Sequence, residues 1–250
     1  MSHSYESYNR YQAVTAAEAQ ADERMTFIRR TYGHLAGAVL CFIILEFLLF
    51  MVLAPTAEAA AGIVAPLMGG VWWIVFLGGF VVLGWVARSW AHSTSSRGWQ
   101  YAGLAFYVIL EAAIFFPLLC IAVYYTAGQS TPHKGYELIY SAGLMTLLVF
   151  GGLTAGVFLT RKDFSFLGPI LGVAGFLALG LIVCAVLFGL PLGVWFSLAM
   201  VALASAAILY TTSNILHHYR TDQYVAASLE LFASVAMLFW YILRIFMARE

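Results

Sequence analysis

Seven apolar runs, each long enough to cross a bilayer, leave this 250-residue chain few ways to fold. They cover approximately residues 31–54, 68–91, 99–126, 137–160, 165–188, 191–217 and 222–247. At about 1.5 Å of rise per residue, a helix of some 20 residues spans the ~30 Å hydrocarbon layer. Lipid offers no partner to a backbone N–H or C=O, so each run must satisfy its own peptide groups as a helix. The expectation is an all-α integral membrane protein with seven transmembrane helices. Composition agrees: 63% of residues are hydrophobic and 10% are charged, against about 25% charged in ordinary soluble domains. The net charge of zero gives no general attraction to nucleic acid, and none is expected as a partner. The partner that composition names is the lipid bilayer.

The breaks between runs carry the expected punctuation: Pro55, Gly69-Gly70, Ser93-Thr94-Ser95-Ser96, Gly128 to Pro132, Arg161-Lys162-Asp163, Gly189-Leu190-Pro191 and His217 to Asp222. Positive charge sets the orientation. With the N-terminus in the cytoplasm, Arg10, Arg24, Arg29, Arg30, Arg88, Arg97, Arg161, Lys162 and Arg220 fall inside. Only Lys134, Arg244 and Arg249 of the 12 Lys and Arg fall outside. Residues 1–24 are polar and read as a flexible cytoplasmic tail rather than a signal peptide. Residues 25–250 then form the membrane domain.

Glycine pairs at four-residue spacing, Gly33/Gly37, Gly152/Gly156 and Gly168/Gly172, predict close helix packing. Cys41, Cys120 and Cys184 lie in apolar runs without metal-ligand spacing and read as small buried hydrophobes. No nucleophile elbow, zinc-protease motif, phosphate loop or dinucleotide fingerprint is present, so no catalytic residues, no enzyme activity and no cofactor are expected. The histidines have no acidic partner at helical spacing, and His217-His218 reads as a solvated interfacial pair.

The informative polar groups lie inside the runs. Glu46, Glu111 and Glu230 are carboxyl groups at membrane depth, where each costs at least about 2.5 kcal/mol unless it faces protein or a polar cavity. Tyr210-Thr211-Thr212-Ser213-Asn214 closes the sixth run, and Glu230 and Ser234 sit one turn apart in the seventh. Arg88 ends the second run at the depth of these groups and is their natural counter-charge.

Several stretches stand out together in order. They are Phe27-Ile28-Arg29-Arg30-Thr31-Tyr32-Gly33-His34-Leu35 and Thr160-Arg161-Lys162-Asp163-Phe164-Ser165-Phe166-Leu167-Gly168. Others are Ile208-Leu209-Tyr210, Leu229-Glu230-Leu231-Phe232 and Leu238-Phe239-Trp240-Tyr241-Ile242-Leu243-Arg244, with Phe116-Pro117 and Thr146. Together they resemble the Bax inhibitor-1 (transmembrane Bax inhibitor motif) family. The resemblance covers about residues 25–247. It implies seven helices with the last one central, wrapped by two three-helix layers. It also implies a pH-sensitive calcium leak, gated by two aspartates on the last two helices near the cytoplasmic mouth. At those positions this chain has Thr211 and Ser234, neither of which titrates. It therefore resembles a bacterial-type member lacking the two-aspartate sensor, expected in a bacterial inner membrane.

Two functional readings stay open at this point. One is a cation leak or ion-homeostasis protein with altered or absent aspartate gating. Calcium would be the permeant ion, Glu230 the replacement acid (and a possible metal ligand), Glu111 a pathway group, and Arg88, Thr211 and Ser234 the rest of the gate. The other is a non-conducting interaction protein that modulates a membrane protease or a stress response. Its docking segment would be the tail bearing Tyr5, Tyr8 and Tyr11.

Overall fold

Each apolar run closes its own backbone hydrogen bonds as a helix. The structure, a computed structural model, describes residues 14–67, 71–93, 96–125 and 132–249. Gly69-Gly70, Thr94-Ser95, Gly128 and the tyrosines Tyr5, Tyr8 and Tyr11 lie outside the described residues. The helices are α1 Ala21–Leu53, α2 Ala57–Leu67, α3 Val71–Ala91, α4 Arg97–Tyr124, α5 Pro132–Thr160, α6 Leu167–Phe188, α7 Val194–His217 and α8 Tyr224–Met247. All but the short α2 are long and apolar enough to span a membrane. Helix ends follow local rules. Ser96 caps α4 by accepting from the Trp99 N–H at 3.4 Å. Gly189 ends α6 in the left-handed conformation at φ 66°, which glycine adopts without a Cβ clash.

The last helix is central. α8 packs against α1, α3, α4, α5 and α7. On one side α4 joins α1 and α3, and on the other α7 joins α5 and α6. This is the arrangement of two three-helix layers around a seventh span. α4 adds a feature of its own: like α8 it is buried along most of its length, from Gly103 to Val123. The other spans turn apolar side chains outward, as lipid requires.

Three expectations are corrected. The chain is not free up to residue 24, because α1 begins at Ala21. Before it, Ala16 donates its N–H to the Tyr219 carbonyl at 2.8 Å, and the Thr221 N–H reaches the Val14 carbonyl at 3.1 Å. The fully buried Ala16 anchors that segment in the core with Phe27 and Leu229. The glycine pairs do not mark the close contacts either. A Cβ at Gly33, Gly37, Gly152, Gly156 or Gly172 would meet nothing within 4 Å, and only Gly168 lies against a neighbour, the Tyr210 ring. Backbones instead approach closely at Gly103, against α3, and at Gly135, against α4. Of the cysteines only Cys120 is buried, while Cys41 and Cys184 lie on exposed faces.

Candidate functional site

The site begins with the Gly103 contact. A Cβ there would lie 2.5 Å from the Ala87 carbonyl oxygen and 2.5 Å from the Ala91 nitrogen, so only glycine lets α3 press against α4. Arg88, beside Ala87, is thereby held against Tyr107, one turn beyond Gly103 on α4. Its Nη2 donates to the Tyr107 hydroxyl at 3.3 Å, and its guanidinium carbon sits 5.3 Å from the ring centroid. Nη1 forms an ion pair with Glu230 on α8. Both partners are partly accessible, at 35% and 23% side-chain exposure, so the pair borders open space rather than sealed core.

That space is a cavity of about 700 Å³ between α3, α4, α6, α7 and α8. Arg88 from α3, Glu111 from α4, Thr211 from α7, and Glu230 and Ser234 from α8 all line it, so the gate and pathway candidates named from the sequence share one cavity. Glu111, one turn past Tyr107, interacts with the Tyr107 hydroxyl and the Arg88 charge. Ser234 turns its hydroxyl proton onto its own helix, donating to the Glu230 carbonyl at 2.9 Å. Its oxygen stays available as a neutral acceptor. The three carboxyl groups do not converge. Glu46 is outside the lining, near Cys120, and both of its oxygens are buried without a hydrogen-bond partner among the described residues. Among the described residues no three His, Cys, Asp or Glu side chains gather as a metal cluster.

The loops at this end are tied down. Ser213, fully buried on α7, accepts the Phe164 N–H at 2.8 Å and lies 3.3 Å from Asp163. The Ser165 backbone N–H, assisted by His218 at 3.1 Å, holds the Asp163 carboxyl down at about 2. His218 thus has an acidic partner that lies 55 residues away, beyond the reach of helical spacing. Tyr219, which backs the Arg88–Glu230 pair from the α7–α8 loop, has its phenol pushed well above the usual range by burial and by the Glu230 charge. Sequence reasoning missed Tyr107 and Tyr219. Tyr107 did carry a signal, since it precedes Glu111 by one helical turn, whereas Tyr219 is placed only by the loop.

The comparisons with known proteins bear on this site as a whole. The family described as Inhibitor of apoptosis-promoting Bax1 matches residues 24–250. An uncharacterized protein of Pseudomonas aeruginosa is 41% identical over 116 residues, covering 45% of this chain and 51% of the relative. A BI1-like protein of Arabidopsis thaliana is 34% identical over 140 residues, covering 53% and 54%. The Modulator of FtsH protease YccA of Escherichia coli is 38% identical over 101 residues, covering 40% and 46%. These alignments span about half the length of the curated relatives. No solved structure matches. With a family match over nearly the whole chain and seven helices packed around the last, the chain belongs to the Bax inhibitor-1 family of membrane proteins.

Proposed function

We propose that the chain is a cation-leak or ion-homeostasis protein in which the Arg88–Glu230 ion pair takes the place of an aspartate pair at one end of the membrane cavity. The pair carries this reading because it is the charge-matched contact between α3 and α8 beside the cavity that holds Glu111, Thr211 and Ser234. While closed, it opposes conduction in two ways. The guanidinium repels an arriving cation, and the carboxylate oxygen it holds is withheld from coordination. A calcium ion takes six to eight oxygen ligands, so it needs Glu230 released, together with hydroxyls and water.

The test is calcium flux into proteoliposomes. Arg88→Gln removes the lock and keeps the acid, and it is expected to raise flux over wild type. Glu230→Gln removes both and is expected to give less flux than Arg88→Gln. Equal flux from all three proteins, or none above protein-free vesicles, overturns the reading.

A second reading has its own support, the name of the E. coli relative as a modulator of FtsH protease. In it the ion pair is a permanent structural contact, and the protein acts by binding a membrane protease. Affinity capture from membranes is the check. A stoichiometric protease partner together with no flux favours this reading over the first.

A further inference from the structure

Arg244 stands where two largely apolar spaces meet. It occupies the last turn of α8. Its Nη2 reaches the Leu192 carbonyl at 3.4 Å, and among the described residues no carboxylate pairs with it. One of the two spaces is the cavity that runs back to Arg88 and Glu230. The other, of about 1000 Å³, lies among the finishing turns of α2, α4, α6 and α8. Both share Trp73, Leu190, Trp240 and Arg244 in their walls. The α8 segment from Glu230 to Arg244 rises about 21 Å, more than the ~15 Å of hydrocarbon in one leaflet. Along that length the first cavity is walled by side chains such as Leu171, Ala178, Ile182 and Met200.

The polar groups Arg88, Glu111, Thr211, Glu230 and Ser234 gather at one end of the cavity, and the wall between them and Arg244 is mostly apolar. We propose that the cavity is a binding site for an anionic membrane phospholipid, its phosphate on Arg244 and one acyl chain lying along α8 toward the Arg88–Glu230 pair. A guanidinium matches a phosphate with two parallel charge-assisted hydrogen bonds. An acyl chain that leaves the bilayer for this cavity exchanges one apolar surrounding for another, so selectivity comes from the headgroup. The assignment does not depend on conduction and stands whichever functional reading holds.

The experiment is native mass spectrometry of the full chain in detergent, with phosphatidylglycerol and phosphatidylcholine added in equal amounts. Both lipids present a phosphodiester to Arg244, but the choline cation of phosphatidylcholine offsets its charge, so wild type is expected to retain one phosphatidylglycerol about tenfold over phosphatidylcholine, a difference of ~1.4 kcal/mol. Arg244→Gln is expected to abolish the preference and Arg244→Lys to restore part of it. Gly175→Phe fills the chain cavity from a lining position that has open space beside it, and it is expected to lose both lipids. Circular dichroism and a single gel-filtration peak establish that each variant is folded. Equal retention of the two lipids by wild type, a preference unchanged in Arg244→Gln, or full retention in folded Gly175→Phe would each overturn the assignment.

Discussion

Replacing Gly103 with alanine tests whether the α3–α4 contact places Arg88. The new Cβ would meet two backbone atoms of α3 at 2.5 Å and the Trp90 Cβ at 3.0 Å. Ordinary contact begins at 3.4 Å, so α3 must retreat by about 1 Å, which a close-packed interface resists. Backbone atoms cannot swing aside as a side-chain tip can. The cost is that of an overpacked core, about 1–3 kcal/mol. The same retreat carries Arg88 with it. Its 3.3 Å bond to the Tyr107 hydroxyl has little slack before it passes hydrogen-bond range.

The assay is reversible unfolding in mixed micelles with increasing denaturing detergent, with Gly79→Ala as the control. Gly79 lies on the facing helix, α3, and meets nothing within 4 Å. Its replacement is expected to leave stability unchanged or raise it by up to ~1 kcal/mol through helix propensity. Gly103→Ala is expected to lose about 1–3 kcal/mol relative to that control. Equal midpoints for the two variants would refute the argument that this glycine sets the distance between α3 and α4.

Ser213→Ala strips the Phe164 N–H of its acceptor, and an unmade bond at a part-buried donor costs about 1–3 kcal/mol. Amide hydrogen exchange at Phe164 should speed up while α8 stays protected, and unchanged exchange there refutes the clamp. Asp163 has its carboxyl depressed from 3.8 to about 2 in the folded loop. Its contribution is therefore complete above pH 3.8 and lost as pH falls toward 2. Exchange at Ser165, corrected for intrinsic rates, should be flat from pH 7 down to about 4 and rise below it. A rise that begins near pH 6 would instead assign the loop's stability to a different group. Glu46→Met replaces a buried carboxyl whose oxygens have no partner among the described residues, and should raise stability by about 1–3 kcal/mol in the same unfolding assay. A loss would mean that the carboxyl has a partner after all.

The spans were legible because lipid imposes one simple demand, a long apolar helix, and length and composition report it directly. The centrality of α8 was legible only through the family resemblance. Glu230 and Ser234 agree with it, since they cannot point into lipid, but Glu46 and Glu111 make the same demand of α1 and α4 and do not single out the last helix. The burial of α4 was hidden, since a helix that is apolar all round looks the same whether it touches lipid or protein. Even Glu111, the one charge at its middle, argues only for one protected face. The glycine rule failed for a related reason. Spacing marks where close approach is permitted, and Gly33, Gly37, Gly152 and Gly156 permit it into open surroundings. The close contacts pair Gly103 with Ala87 and Ala91, and Gly135 with Ala122 and Val123, residues on a neighbouring helix that no single-helix pattern joins to the glycine.

At the site, depth could be counted along each helix but facing could not. Counting placed Arg88 level with Thr211, Glu230 and Ser234, which sufficed to name it as their counter-charge. It could not show that the guanidinium divides its donors between Glu230 and Tyr107, since that depends on how α3 is rotated against α4. The division matters for the proposed lock. Two like-charged acids held close share a proton, and their contact answers to pH. An arginine paired with a glutamate is already neutral as a unit, and it opens when something else satisfies one of the two charges. A cation competing for Glu230 and an anion competing for Arg88 are two chemistries able to do so. Under the proposed reading the lock therefore opens to bound ions without needing the shared proton on which an aspartate pair depends.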